Sequence, residues 1–499
     1  MNKSLEIARR NLFYIILLLP IVIFPKSTAI FEISRTFSVG IMVGFLGVYY
    51  FLFNKIERIK LPSSFILLFF LVSFITNLFS IDKNISILGT YPRFADGDLV
   101  NLITFLFIIL ILNIWEKVDL IKIAFYSSLP ISIIAVLQSF LTNDRIGSTL
   151  GQPNFLGLFI SLTLIYQFLN FQKIKLKLYL KYAILVIQTY VLIKSASLTA
   201  FIALGVVISY LLWSKKIVIG KPKLIFIIIL LSALLISQGS ILFPKIKDTY
   251  FQLVDRKQTT ISDSLLIRFA IWESTIKLIT TDSKHFLLGS GSNTFAIEFE
   301  KNRNTKLDIY SEYYLFYDKP HNYFIEIIYS NGFFSLILFL FITYKSLKSK
   351  NDNSVYIVVI LFFIAFNWLD IYSRLILFSL ISLNLKKEEF KSDNLKVIAV
   401  IYFFLVVVSG IFLFADAKFY ERDYQTAVKL MPFNDTYKAQ YLISKNENSN
   451  DFFFKNQNPL IKIEGLQLYK GQKLEEFKIH LMKDYPNNLP IKILVENAK

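Results

Sequence analysis

The feature that most constrains this chain is a succession of apolar runs, each about as long as a lipid bilayer is thick. A helix needs roughly 20 mainly apolar residues to cross the hydrocarbon core. Such runs predict spans near 12–30, 36–53, 63–80, 99–115, 119–141, 155–170, 178–194, 198–213, 223–243, 322–343, 354–370, 374–385 and 395–415. The first and twelfth are short or broken by proline. We therefore predict an all-α polytopic membrane protein with about 12–14 transmembrane helices.

Composition supports this class of protein. The 499 residues are 55% hydrophobic and include 50 Phe, with a mean hydropathy of +0.53, which is too apolar for one soluble core. The net charge of +18 comes from Lys and Arg in short clusters between apolar runs. That arrangement is typical of cytoplasmic loops rather than of a nucleic-acid surface, so no nucleic-acid partner is predicted. The absence of cysteine excludes disulfides, zinc–thiolate sites and a thiol nucleophile.

Charge asymmetry predicts the orientation. With the N-terminus inside, the predicted inner segments hold 23 Lys and Arg, whereas the short outer loops hold seven. The apolar run after Arg10 resembles the start of a secretory signal, but no small-residue cleavage site follows, so we interpret it as an uncleaved first span. The seven outer residues are Lys26, Arg35, Lys83, Arg93, Arg145, Lys194 and Arg374.

Two long segments then fall outside the membrane. We predict a transmembrane domain over 1–415, with one large extracytoplasmic loop at 244–321. The second segment, 416–499, is predicted to be a small, partly helical extracytoplasmic tail. It begins with apolar helical periodicity, typical of one helical hairpin, and continues as weakly patterned chain rich in Asn and Lys.

The outer loops carry mostly arginine, whereas the inner loops carry mostly lysine. The outer side has Arg93, Arg145 and, in the large loop, Arg268 four residues before Trp272. A guanidinium is a planar, permanently charged fork that suits phosphate oxygens. The alternative is that each arginine reaches the membrane surface from a helix end or pairs with an acid such as Asp96.

The most specific run surrounds His321, one of three histidines, where the large loop enters the tenth span. An imidazole there can exchange protons with a substrate hydroxyl at neutral pH. The alternative is an ordinary helix start with Asn322 as N-cap. Glu326, one turn later, needs a polar cavity because a charge inside an apolar helix is costly. His285 and His480 have no evident polar site around them.

Two other motifs have competing interpretations. The Gly-Ser-Gly run at 289–291 is a potential anion nest, and the Asp-Gly-Asp run at 96–98 matches a pattern used by metal-dependent glycosyltransferases. Both are also common turn sequences, and we favour the turn for each.

Together these residues resemble the O-antigen ligase superfamily, which also includes O-antigen polymerases and bacterial protein O-oligosaccharyltransferases. The resemblance covers roughly residues 60–345 and, more loosely, the helical segment after Ala415. It rests on Gly89–Gly97, Arg145–Asn154, Arg268 with Trp272, Leu288–Gly291 with Phe295, and Pro320-His321-Asn322 with Glu326 and Gly332. Two departures stand out: the stretch at 195–200 lacks the usual arginine, and Gln152 replaces an asparagine.

The resemblance implies metal-independent, cofactor-free transfer of a glycan from an undecaprenyl-diphosphate carrier to an acceptor hydroxyl. The reaction is expected at the outer face of a bacterial inner membrane, with the site facing the periplasm or cell exterior. The partners would be this donor, a glycan, lipid or protein acceptor, and membrane lipids. The expected catalytic residues are His321, Arg268 and Arg145, and the expected substrate-binding residues are Arg93, Gln152, Asn154, Trp272, Asn322 and Glu326.

Several alternatives remain open from the sequence. One alternative within the same family is an O-antigen or polysaccharide polymerase, and another is a protein O-oligosaccharyltransferase. Outside it, Asp96 and Asp98 suit a metal-dependent glycosyltransferase, and the many spans suit a flippase for lipid-linked sugars. Transporters usually carry charges at the membrane midplane and inverted repeats, and neither is evident here.

Overall fold

The computed structural model describes residues 3–54, 56–94, 96–115, 118–213, 220–236, 264–310, 312–349, 353–391, 395–447 and 451–498. The structure is 74% helical, which confirms the prediction of a nearly all-α polytopic protein.

The first half of the chain is a series of apolar helices joined by short connections. In chain order these elements are α1 (Lys3–Leu18), α2 (Ile33–Phe53), β1 (Arg58–Leu61), α3 (Ser64–Leu78), α4 (Lys83–Leu88), α5 (Asp98–Ile114), α6 (Leu120–Leu141), α7 (Pro153–Asn170), α8 (Leu178–Ser195), α9 (Leu198–Trp213) and α10 (Lys221–Ile236). The end of the predicted ninth span, 237–243, and residues 244–263 of the large loop lie outside the described residues.

The second half contains the large loop, the remaining apolar helices and the tail. Its elements are α11 (Ser264–Ile279), α12 (Ser283–Leu288), α13 (Phe295–Phe299), α14 (Tyr323–Lys348), α15 (Asn353–Ile364), α16 (Ile371–Asn384), β2 (Glu388–Lys391), α17 (Leu395–Tyr420), α18 (Tyr424–Leu430), α19 (Asp435–Lys445), α20 (Phe452–Lys455), α21 (Pro459–Lys462), α22 (Gly471–Asp484) and α23 (Leu489–Asn497). Each predicted span overlaps one described helix.

By length and apolar composition, five helices of the described chain qualify as membrane spans: α2, α6, α8, α14 and α17. Six more apolar helices are shorter, at 10–17 residues. The first predicted span, 12–30, is wrong in extent, because α1 ends at Leu18 and the chain is irregular up to α2. Pro20 and Pro25 explain the early end, since proline removes a backbone donor and clashes with the preceding turn.

The second helix and the last long apolar helix pack closely together. Three glycines of α2 face α17, and a Cβ added at any of them would collide with it: Gly40 with Ser409, Gly44 with Val406 and Gly47 with Tyr402. Small residues at such spacing let two membrane helices approach closely, which gains van der Waals contact where lipid offers no hydrophobic driving force.

A short antiparallel strand pair was not predicted. β1 pairs with β2, and Arg58 lies opposite Lys391. The four-residue strands are too short and too charged to show an alternating pattern. The pairing joins two loops that the charge count places on the same inner side, and Arg9 also donates a hydrogen bond to the Ile114 carbonyl at the predicted inner end of α5.

Single-cysteine labelling tests the predicted orientation directly, because the chain has no native cysteine. The exposed residues Lys175 and Thr305 lie in segments predicted inside and outside, respectively. In intact cells, a membrane-impermeant maleimide is expected to label Thr305→Cys but not Lys175→Cys, and permeabilisation should allow both. Labelling of Lys175→Cys alone in intact cells would show that the predicted orientation is inverted.

The tail is more ordered than its sequence indicates. The helices after α18 enclose a core of their own, formed around Phe453, Tyr469 and Phe477. We predicted weakly patterned chain in this region, but the structure contains helices. These helices are short, and the Asn, Pro and Gly residues at their starts obscure the helical period in the sequence. The tail also contacts the large loop, where the Asn488 amide donates a 2.6 Å hydrogen bond to the buried Glu300 carboxylate.

Candidate functional site

His321 lies at the junction between the large loop and α14. Its backbone adopts φ +54°, in the left-handed region that non-glycine residues seldom occupy. Its ring meets the Trp368 indole edge-on, with 4.8 Å between centroids. Within the described chain, the buried Nδ1 atom has no hydrogen-bond partner. A strained backbone and an unsatisfied buried nitrogen are both features that concentrate at functional sites.

Cations surround this imidazole. Burial lowers the pKa of His321 well below its ordinary value of 6.5, and the charges of Arg268, Arg93 and Lys319 lower it further. The imidazole is therefore neutral at physiological pH and can accept a proton. The structure thus brings together three residues that lie far apart in the sequence and that we predicted to act together: Arg93, Arg268 and His321.

Arg145 is fixed by two hydrogen bonds. Its Nε donates to the Ser195 carbonyl at 3.0 Å, and one terminal nitrogen donates to the Asn154 side-chain oxygen at 2.8 Å. The Asn154 amide in turn lies 3.3 Å from the Asn367 oxygen. Asn154 is therefore placed to orient Arg145.

Arg268 lies near enough to Arg145 for their charges to interact. Burial lowers the pKa of Arg268 to about 10, the Glu312 carboxylate opposes that shift, and the Arg145 charge adds to it. Both guanidinium groups remain charged at pH 7. Two neighbouring cations repel each other, and an anion between them would relieve that repulsion.

A buried ion cluster anchors the segment that precedes His321. The Lys319 ammonium binds Asp96 and, at 2.5 Å, Glu326, while Arg374 binds the other oxygen of Asp96. All four side chains are nearly inaccessible to solvent. Glu326 thus contacts Lys319, two residues before His321, rather than His321 itself. Lys319 was not among the predicted site residues. Arg374, which we predicted in an outer loop, lies in the first turn of α16.

Arg93 pairs with an acid, as the alternative predicted, but the acid is Asp318 rather than Asp96. Its Nε lies 2.6 Å from the Asp318 carboxylate, and its guanidinium lies 4.7 Å from the centroid of the Trp368 indole. The reason is geometric: Lys319 and Arg374 already occupy both oxygens of Asp96. The pKa of Arg93 rises because Asp318, Glu32 and Glu326 together outweigh the opposing effect of burial.

Two predicted substrate-binding residues have evident structural contacts. The Trp272 indole N–H donates a 2.8 Å hydrogen bond to the Pro320 carbonyl, directly before His321. The Asn322 oxygen accepts from the N–H groups of Phe324 and Ile325 and so caps α14, as the helix-start alternative predicted. Gln152 remains without such a role, because its buried side-chain oxygen has no hydrogen-bond partner within the described residues.

The glycine-rich run at 289–291 is a turn with its donors in use. The N–H groups of Ser290 and Gly291 donate to the carbonyls of Tyr329 and Ser330. Those carbonyls lie at a break in α14, where Gly332 has non-helical angles (φ 78°, ψ 175°). The run therefore supplies partners to a broken helix rather than to an anion.

The Asp-Gly-Asp run is also engaged within the protein. Asp96 binds Lys319 and Arg374, and Asp98 accepts a 2.7 Å hydrogen bond from Asn77. Among the described residues, no group of three His, Asp or Glu side chains is arranged to hold a metal ion.

The other two histidines have acidic neighbours, although we predicted no polar site around either of them. His285 lies 3.4 Å from Asp282 and 3.5 Å from Glu298, and His480 lies 3.3 Å from Asp484. Two of these acids lie within four residues of their histidine along the same helix or at its cap, a proximity that helical spacing makes routine. Glu298 is brought to His285 by tertiary folding.

These observations define a polytopic membrane protein with an arginine- and histidine-containing site where its loops converge. A family model described as O-antigen ligase matches residues 183–340, which include Arg268, Trp272, His321, Asn322 and Glu326. The match confirms the predicted relation to the O-antigen ligase superfamily. Arg93 and Arg145 precede the matched segment. No curated protein matches the chain significantly.

Proposed function

We propose that this protein transfers a glycan from an undecaprenyl-diphosphate-linked donor to an acceptor hydroxyl at the outer face of the bacterial inner membrane, without a metal ion. The observation that carries the proposal is the neutral, partly unsatisfied imidazole of His321 with Arg268 and Arg93 close to it. The family match supports the reaction class.

The proposed chemistry is a direct displacement. The acceptor oxygen forms a bond to the anomeric carbon while the bond from that carbon to the diphosphate oxygen breaks, and the electron pair leaves with the diphosphate. His321 accepts the hydroxyl proton as general base. Arg145 and Arg268 stabilise the negative charge that develops on the leaving diphosphate. The products are the glycosylated acceptor and undecaprenyl diphosphate.

The partners of Asp96 and Asp98 bear on the metal-dependent alternative. A metal-binding carboxylate needs free lone pairs, yet both oxygens of Asp96 are bound by cations of the protein. The test is an in vitro transfer assay with purified enzyme and lipid-linked donor, run with and without EDTA. We expect equal turnover in both, and loss of turnover in EDTA with recovery on adding Mg²⁺ or Mn²⁺ would overturn the proposal.

The same assay separates the activities within the family. Lipid A core, the free donor glycan and a purified periplasmic protein would be supplied separately as acceptors. Transfer to the first indicates a ligase, to the second a polymerase and to the third a protein O-oligosaccharyltransferase.

Removing either proposed diphosphate contact should slow transfer strongly. We expect Arg145→Ala and Arg268→Ala each to lower turnover about 10²-fold, as loss of one charge-stabilising group does in other enzymes. Lysine at either position should restore activity only partly, because an ammonium cannot bind the diphosphate as a fork. Arg58→Ala is the matched control, since Arg58 is exposed and pairs with Glu389 on the opposite side. Unchanged turnover in both alanine variants would refute the diphosphate role.

A further inference from the structure

A separate cleft opens beside the His321 site. Its volume is about 370 Å³, within the range of small-molecule sites. The polar residues that line it are Glu32, Arg35, Arg93, Gln152 and Asp370, together with the indole of Trp368. They come from the start of α2 and the residue before it, the α4–α5 loop, the turn before α7 and the α15–α16 connection.

Several polar atoms in this cleft lack partners. Arg35 is 1% exposed, yet its Nε has no hydrogen-bond acceptor within the described residues, although another of its nitrogens binds the Thr149 carbonyl. The Gln152 side-chain oxygen has no hydrogen-bond donor within the described residues, and one oxygen of Asp370 has only the Arg35 guanidinium, 3.9 Å away. A buried polar group without a hydrogen-bond partner is costly. A ligand that both donates and accepts hydrogen bonds would satisfy these groups.

The charges of the cleft distinguish it from a phosphate site. Glu32 and Asp370 face Arg35 and Arg93, so acids and bases are balanced. Burial raises the pKa of Glu32, and the Arg93 charge opposes that rise. A diphosphate would be repelled by the two carboxylates, whereas the hydroxyl groups of a sugar both donate and accept hydrogen bonds. An indole face gives a sugar ring an apolar surface.

The cleft communicates with His321 through one side chain. The Trp368 indole has the His321 ring 4.8 Å away and the Arg93 guanidinium 4.7 Å from its centroid. A sugar in the cleft would therefore lie one indole away from the base. Arg145 and Arg268 are not among the residues that line it.

We propose that this cleft is a sugar-binding subsite that holds a residue of the acceptor glycan next to the one whose hydroxyl is glycosylated. The proposal rests on the transfer function proposed above and adds to it the acceptor's position. Asp370, Gln152 and Trp368 bind the sugar ring, while Arg145 and Arg268 bind the donor diphosphate.

Sugar binding can be measured without the transfer reaction. The full-length protein in lipid nanodiscs avoids maltoside detergents, whose headgroup is itself a sugar. Saturation-transfer NMR would be recorded with glucose, galactose and N-acetylglucosamine, and with inorganic pyrophosphate as competitor. We expect at least one sugar to bind, and pyrophosphate not to displace it.

The variants are chosen to keep the fold. Asp370→Asn preserves the N-cap of α16, because the Asp370 side chain accepts from the Ser373 N–H and asparagine caps equally well. Gln152→Ala removes only an unsatisfied amide. Asp370→Asn should weaken sugar binding about 10- to 100-fold, as expected for a charged hydrogen bond. Gln152→Ala should weaken it about threefold to tenfold, as expected for a neutral one. Glu389→Gln on the opposite side is the matched control.

His321→Asn separates this proposal from the transfer function, since it should abolish transfer and retain sugar binding. If sugar binding is unchanged in both Asp370→Asn and Gln152→Ala, or if pyrophosphate displaces the sugar, the cleft is not an acceptor subsite. That result would leave the transfer function untouched. Conversely, two results could occur together: sugar binding that depends on Asp370, and full transfer by the His321→Asn variant. They would support the subsite and refute His321 as the base.

Discussion

Replacing His321 by asparagine is expected to lower the transfer rate about 10²- to 10⁴-fold, the range typical of losing a general base. Asparagine is the more informative variant, because it tolerates the left-handed backbone angle of this position better than alanine does. The fold should therefore persist while the proton acceptor is lost. The measurement is turnover of purified lipid-linked donor, with thermal unfolding recorded on the same preparation.

His480→Asn is the matched control, because His480 lies in the tail beside Asp484. It should retain full turnover. Near-normal turnover by His321→Asn would show that this residue only shapes the start of α14, and the proton acceptor would then lie elsewhere.

The pH profile gives a second readout of the same residue. A general base is active when deprotonated, so the rate falls as the pH drops through its pKa. Because the pKa of His321 is lowered well below 6.5, activity should persist into mildly acidic buffer. Arg93→Gln removes one of the charges that lower this pKa, and the acidic limb of its residual activity should move to higher pH. An unchanged limb would contradict this role for the imidazole.

Replacing Lys319 by methionine is expected to destabilise the protein by about 3–5 kcal/mol, the cost of leaving a buried charge without its partner. Methionine keeps most of the side-chain length but none of the charge. Asp96 retains Arg374, so most of the effect should come from Glu326, which loses the cation that contacts it at 2.5 Å. Transfer should fall as well, because Lys319 anchors the backbone two residues before His321.

Thermal unfolding in one detergent would measure the stability change. Lys306→Met is the matched control, since Lys306 is exposed and its pair with Glu273 should contribute at most about 1 kcal/mol. Adding Glu326→Gln to Lys319→Met removes the unpaired carboxylate and should restore part of the lost stability. If the double variant is less stable than Lys319→Met, the ion pair is not the source of the effect.

The helical architecture was predictable because a bilayer imposes a simple physical rule on sequence. Apolar runs predicted all five described helices that qualify as membrane spans, and helix ends were wrong mainly where polar residues continue a helix or prolines end it. Arg374 illustrates the first case and Pro20 the second. The tail and the β1–β2 pair were not predictable in this way, since both depend on contacts between distant segments.

The candidate site was predictable only in part, for a related reason. His321, Arg145 and Arg268 stand out because the chain has only three histidines and because arginine, the main cation of the short predicted outer loops, suits phosphate oxygens. Lys319 does not stand out, since its partner Asp96 lies 223 residues away in the sequence. Asp370 does not stand out either, since it lines a cleft built from four segments. No spacing rule within the chain encodes such partners.

The close packing of α2 against α17 has a consequence for biogenesis. Roughly 340 residues separate the end of α2 from the start of α17, and at typical synthesis rates the ribosome needs on the order of half a minute to make them. Throughout that interval the glycine face of α2 has only lipid or the insertion machinery to cover it. The last long apolar helix to emerge is the one that completes the packing of the second, so the bundle reaches its final form only after almost the whole chain has been inserted.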